Sequence, residues 1–238
     1  MGSDNAVHWK RRTIAILLFG ISFGYIEAAV VTYLRPQFFA ARATFEPQSR
    51  DLFPMLTLQQ VRATGPEMVR MVRTEIGREA ATLLMLGAVA AAVGGSFRQQ
   101  LAFFLLAFGT WDIAYYAFLK ILIDWPKSLL TWDVLFLIPV PWTGPVLAPG
   151  LVALTMVGAG LIYLWRESHG HSIRLKAVHW LGVGAGALLI LAAFTWDYRN
   201  VMAGGMPKTF PWSLFAVGEM LGVGAFLHGL ASHAPTEL

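Results

Sequence analysis

Six apolar runs constrain this chain more than any other feature. They lie at about 13–34, 79–96, 101–123, 146–165, 177–196 and 212–231. Each is close to the ~20 residues that cross a ~30 Å hydrocarbon core. A backbone inside a bilayer must satisfy its own hydrogen bonds, and a helix does so within one segment. The expected fold is therefore all-α: a polytopic membrane helix bundle of about six transmembrane helices, organised as a single transmembrane domain over 1–238. Composition agrees. The chain is 56% hydrophobic and 13% charged, where soluble domains carry about 45–50% apolar and about 25% charged residues. The first run is a full span and too long for the apolar core of a signal peptide.

The formal net charge is +4. Because the excess bases flank apolar runs, they read as a membrane-orientation signal and not as affinity for nucleic acid. Lys10, Arg11, Arg12, Arg98, Arg166, Arg174 and Lys176 fall on one side of an alternating six-span path. Lys127, Arg199 and Lys208 fall in the short loops of the other. Short basic loops face the cytoplasm, so both termini are expected there, with the protein in the plasma (inner) membrane. The stretch 35–78 then forms an external loop. Thr64 can cap a helix, Pro66 suits a first turn, and Met68, Val69, Val72 and Ile76 recur at helical spacing. An interfacial helix running into the second span is expected there; a loop helix packed on the bundle is the alternative.

Residues 128–150 read SLLTWDVLFLIPVPWTGPVLAPG, apolar but interrupted by Asp133, Pro139, Pro141, Pro145 and Pro149. Leu129–Trp165 is too long for one span and barely enough for two. Two crossings would also move Arg166, Arg174 and Lys176 to the wrong side. A Pro-rich re-entrant segment (129–145) satisfies both constraints, with a half-helix over 129–138 and irregular backbone over 139–145. Such backbone is tolerated at membrane depth only beside protein or a water-filled cavity. Small residues spaced by four at Gly20/Gly24 and Gly218/Gly222, and Leu-Gly-Val-Gly-Ala at 181–185 and 221–225, predict close helix contacts, the second pair between the fifth and sixth spans.

Counting residues at 1.5 Å of rise puts the span-associated acids at one level. Glu27 and Glu219 come out roughly 10 Å below the outer surface, and Asp112 near mid-membrane. Glu75 and Glu79 enter at the outer end of the second span on one helical face. Asp133 belongs to the outer re-entrant segment. Asp112, Tyr116 and Lys120 are spaced i, i+4, i+8, and Arg78 adjoins Glu79. The expected cavity thus contains Glu27, Glu79, Asp112, Tyr116, Asp133 and Glu219, with Arg78 and Lys120 as counter-charges. Ionisable groups inside a membrane are functional candidates, because buried ion pairs stabilise poorly. Ion pairs that merely fix helix packing are the plainer reading.

Oxygen ligands of this kind suit a divalent metal, with Glu27, Glu79, Asp112 and Glu219 as candidates. His179 and His228 come out at one level on the last two spans, near the inner face; they are weaker candidates for a metal or haem. There is no cysteine, which excludes thiolate chemistry and disulfides. Walker, zincin, serine-elbow and Rossmann motifs are absent. The leading expectation is a membrane protein that handles an ion or small molecule through a carboxylate-lined polar cavity in the outer half, by transport or channel-like passage. One alternative is a membrane-embedded enzyme, with or without a metal, acting on a lipid or quinone-like substrate. Another is an accessory subunit of a larger complex. The bilayer, a small ligand, and a complex partner or second copy are the expected partners.

Overall fold

A computed structural model describes residues 2–45, 56–171, 173 and 175–232. Arg174 and positions 46–55 of the expected external loop lie outside the described residues. Six helices among the described residues are long and apolar enough to cross a membrane. The chain is an all-α, multi-pass integral membrane protein.

Helix α1 (Gly2–Ala43) is 42 residues long and runs straight past Arg35, where the sequence suggested an end, with Pro36 inside it. Its extension has a reason to stay helical: Phe38 and Ala41 bury against Val61 and Met68 in a small cluster of their own. Helix α2 (Leu58–Thr64) starts at a capping box, in which Gln60 N–H donates to Thr57 Oγ1 and Thr57 N–H donates to Gln60 Oε1. Helix α3 (Pro66–Val93) begins with Pro66 in its first turn, but its N-cap is Gly65 at φ 125°. Thr64, expected as that cap, instead closes α2 by donating to the Gln60 carbonyl. The segment expected as an interfacial helix is thus the first part of α3 itself, collinear with the span and packed on the α1 extension.

Helix α4 (Phe97–Ile123) is capped by Ser96 and ends at Asp124 in the left-handed region, φ 51°. It is the central post of the bundle, packed against α1, α3 and α5 (Leu147–Ser168). A Cβ at Gly24 would lie 2.7 Å from Ala114 Cβ, and one at Gly20 would lie 2.9 Å from Thr110 Cβ, so α1 and α4 run parallel and nearly touching. Gly109 abuts the Ala153 carbonyl and Gly160 the Ala102 carbonyl, so α4 and α5 run antiparallel. Ile16, Phe23, Leu86, Phe103, Leu106, Trp111 and Leu164 fill the core among α1, α3, α4 and α5.

The α4–α5 connection therefore leaves and returns at one end of the bundle and does not cross. The half-helix expected over 129–138 is not there. Strands β1 (Trp132–Phe136) and β2 (Trp142–Pro145) pair antiparallel, Asp133 opposite Gly144 and Val134 opposite Thr143, with an irregularity before Phe136. The run between Pro126 and Pro139 is too short for a stable isolated helix. A hairpin pairs the facing backbone groups of both strands without one. Gly144 packs closely there, since a Cβ would lie 3.1 Å from the Phe194 ring and 3.2 Å from the Phe210 ring.

Helices α6 (Ala177–Phe194) and α8 (Trp212–Ala231) form an antiparallel pair, with the short α7 (Tyr198–Met202) between them. The expected close contact of these spans is present. A Cβ at Gly186 would lie 2.6 Å from the Gly218 carbonyl oxygen, and one at Gly182 would lie 2.6 Å from Ala225 Cβ. Within the repeated pentapeptides, Gly184 and Gly224 face open space and have no part in the seam.

Candidate functional site

A cavity of about 710 Å³ lies between α3, α4 and α5 on one side and α6 and α8 on the other. Residues 133–137 and Trp142 of the hairpin line it at one end of the bundle, called the hairpin end below. Glu27, Arg78, Glu79, Asp112, Tyr116, Asp133 and Glu219 all line it, as do Glu75 and Tyr115. Lys120 is not among them. It is exposed and donates to Asp124 at 2.6 Å, and so is no counter-charge for Asp112. Positions eight apart on an α-helix differ in direction by about 80°, which turns Lys120 out of the face that Asp112 and Tyr116 share. Lys120 and Lys127 together hold the exposed Asp124 carboxyl down to about 2.

The carboxylates descend from the hairpin end as a ladder. Uppermost, Arg78 bridges Glu75, one turn back on α3, and Glu27 on α1; its Nε donates to Glu75 Oε2 at 2.9 Å. One residue on, Glu79 Oε2 accepts the Leu137 amide at 2.9 Å and so ties α3 to the hairpin. Asp133 is the most deeply buried carboxylate, 2% exposed, and accepts from the Tyr116 hydroxyl at 2.9 Å. Burial pushes the Asp133 carboxyl up to about 7, against the Tyr116 hydroxyl, the Val134 amide and the Arg35 charge, which favour its ionised form.

Lower down the pairing gives out. Asp112 is 9% exposed and its Oδ2 is buried with no hydrogen-bond partner. Glu219 accepts from Thr155 Oγ1 at 3.1 Å through one oxygen, while the other, Oε1, is buried without a partner. Thr155 stands level with Gly109, which packs between Ala153 and Val157. Glu219 therefore sits about 5 Å deeper than Asp112. Phe108, Trp111, Tyr115, Phe136 and Trp142 contact one another in a chain of rings along the lining, with Phe108 and Tyr115 about one turn either side of Asp112 on α4. The indole N–H groups of Trp111 and Trp142 are also buried without acceptors.

Among the described residues no three His, Asp or Glu side chains are grouped to hold a metal. Glu27 is engaged by Arg78 and Glu79 by the Leu137 amide. His179 and His228 do meet, with His179 Nε2 3.1 Å from His228 Nδ1. His179 Nδ1 accepts the Lys176 amide, so its proton is on Nε2 and is donated to His228. This contact fastens α6 to α8 far from the carboxylates.

The arrangement leaves two carboxylate oxygens and two indole N–H groups without partners in a mostly apolar lining. Thr155 and the Leu137 amide belong to the site but carry no sequence signal, since each becomes a partner only through a residue about sixty positions away. Trp142 stands in the conspicuous Pro-Val-Pro-Trp stretch, and an aromatic among prolines was the available clue. No known family model, curated protein or solved structure matches this chain.

Proposed function

We propose that the protein binds and translocates a small molecule bearing a cationic, hydrogen-bond-donating group, which enters from the hairpin end. One observation carries the proposal: the ladder of carboxylates ends in two buried oxygens, on Asp112 and Glu219, that have no donor. A buried carboxylate without a partner is costly, and a ligand that supplies the donors removes that cost. Phe108 and Tyr115, about one turn either side of Asp112 on the lining, add aromatic surface that suits a cation. Irregular backbone beside a polar site is a recurring device of carriers, and the hairpin provides it. The biased distribution of Lys and Arg favours a plasma (inner) membrane location with the hairpin end facing away from the cytoplasm.

The test is charge displacement. Butylammonium is added to proteoliposomes on a solid-supported membrane. The wild-type protein is expected to give a transient current that saturates with concentration. Asp112→Asn and Glu219→Gln are each expected to reduce it by about tenfold or more, since a hydrogen bond to a charged group is worth about 1.5–3 kcal/mol. A wild-type signal no larger than that of protein-free liposomes, or one undiminished in both variants, overturns the proposal.

A further inference from the structure

The cavity does not end at Glu219. It continues towards the opposite end of the bundle for about eleven residues of α4, roughly 16 Å, and its character changes completely on the way. Leu101, Phe104, Leu105, Ile162, Val183 and Phe226 line this lower part, and no carboxylate does. Arg98 stands at its far end, donating to the Ile173 carbonyl at 3.3 Å, with Tyr163 also on the lining.

We infer that the ligand is a single-chain amphiphile: an amine head held at Asp112 and Glu219, with an alkyl or isoprenoid-like chain lying in the apolar trough below them. The inference rests on the function proposed above and names its substrate class. A hydrated ion would use only the upper rungs of the ladder and would leave the trough without a purpose. Protein interiors are packed to near-crystalline density, so a long apolar void inside a bilayer calls for an apolar occupant. The volume of about 710 Å³ falls in the range of roughly 300–1,000 Å³ typical of sites for drug-sized molecules. The order of the lining, carboxylates above and none below along one axis, matches a molecule with a cationic head and an apolar tail. The bare Asp112 and Glu219 oxygens sit at the junction, where such a head would lie. Helices α6 and α8 pack mainly on each other, and Glu219 of α8 meets Thr155 of α5.

The experiment is equilibrium dialysis of radiolabelled alkylammonium ions against the full-length protein in lipid nanodiscs. Protein-free nanodiscs are subtracted to remove bilayer partition. Dodecylammonium is expected to bind the wild type about tenfold or more tightly than butylammonium, because each buried methylene adds favourable transfer energy. Ala159→Trp and Val183→Trp, which fill the trough from opposite walls, are expected to bring dodecylammonium down to the butylammonium level. Two variants are used so that a folding defect in one, read by thermal unfolding, does not decide the matter. Dodecanoate, with the same chain and an anionic head, should show no saturable binding. Butylammonium binding without any gain from the longer chain would overturn the amphiphile inference and leave the proposed function standing. Absence of binding by either amine would sink both. Equal binding of dodecanoate and dodecylammonium, unchanged by the tryptophans, would mean that bulk lipid fills the trough, and would also overturn the inference.

Discussion

The two walls of the cavity are built by different rules. The wall of α1, α3, α4 and α5 interlocks large side chains around Phe103, Leu106 and Trp111. It carries Glu27, Arg78 and Glu79, each held by a neighbouring helix or by the hairpin, and Asp112, whose Oδ2 has no partner. The wall of α6 and α8 is a leaf of two helices closed along Gly182, Gly186 and Gly218. It offers the cavity a single carboxylate, Glu219. Ionic groups at membrane depth need partners, and partners need a framework that holds them in register. Hence the charges gather on the interlocked wall. The leaf, held by backbone proximity, supplies mostly apolar surface.

Substitutions can break or sharpen this contrast. The largest effect is expected at Arg78. Arg78→Leu leaves Glu27 and Glu75 buried without their cation, a loss of about 3 kcal/mol, read as a fall in the unfolding temperature in detergent. A variant as stable as the wild type would mean that the upper cluster is not a framework. The leaf is tested next. Gly186→Ala drives a methyl into the Gly218 carbonyl and should cost about 1–3 kcal/mol. At Gly222 a Cβ meets nothing within 4 Å, so Gly222→Ala should be silent. Equal damage from the two would refute the glycine seam.

Smaller effects are expected at the hairpin. Tyr116→Phe removes the hydroxyl that donates to Asp133 and should cost about 1 kcal/mol. The pH dependence has a definite sign. Asp133 titrates higher in the folded protein than its ordinary value, so its contribution to stability is fully present in acid and is lost as pH rises through about 7. The unfolding temperature of the wild type should therefore fall from about pH 4 to about pH 7 and level off above, and Asp133→Asn should flatten that fall. A variant with the same slope as the wild type would assign the titration elsewhere. Least of all is expected at Lys120, whose exposed pair with Asp124 is screened by solvent. Lys120→Ala should change neither the unfolding temperature nor the butylammonium signal. A clear loss of that signal would return Lys120 to the cavity.

Much of this was legible in the sequence because it depends on counting. Hydropathy located the spans, since length and apolarity are what a bilayer selects. The alternation of spans and a rise of 1.5 Å per residue brought Glu27, Glu79 and Asp112 towards one end of the bundle. Glu219 was counted to the level of Glu27, above Asp112, but α8 meets α5 so that Glu219 lies below Asp112, an order that only helix docking decides. The same arithmetic failed for Lys120, because i, i+8 spacing conceals a drift of nearly a quarter turn. The hairpin was misread as a half-helix, because apolar residues near prolines carry no period that distinguishes the two over so short a run.

The amino-acid sequence by itself determined an all-helical membrane protein of six spans, a Pro-rich connection that does not cross, and acids concentrated towards one end. These follow from local composition and from the cost of unsatisfied backbone in lipid. Only the tertiary structure decided which acids are paired and which are bare, that Thr155 and the Leu137 amide are their partners, and that an apolar trough opens beneath Glu219. Those features arise where helices distant in the chain meet, and the balance of donors and acceptors in a cavity is a property of all its walls together.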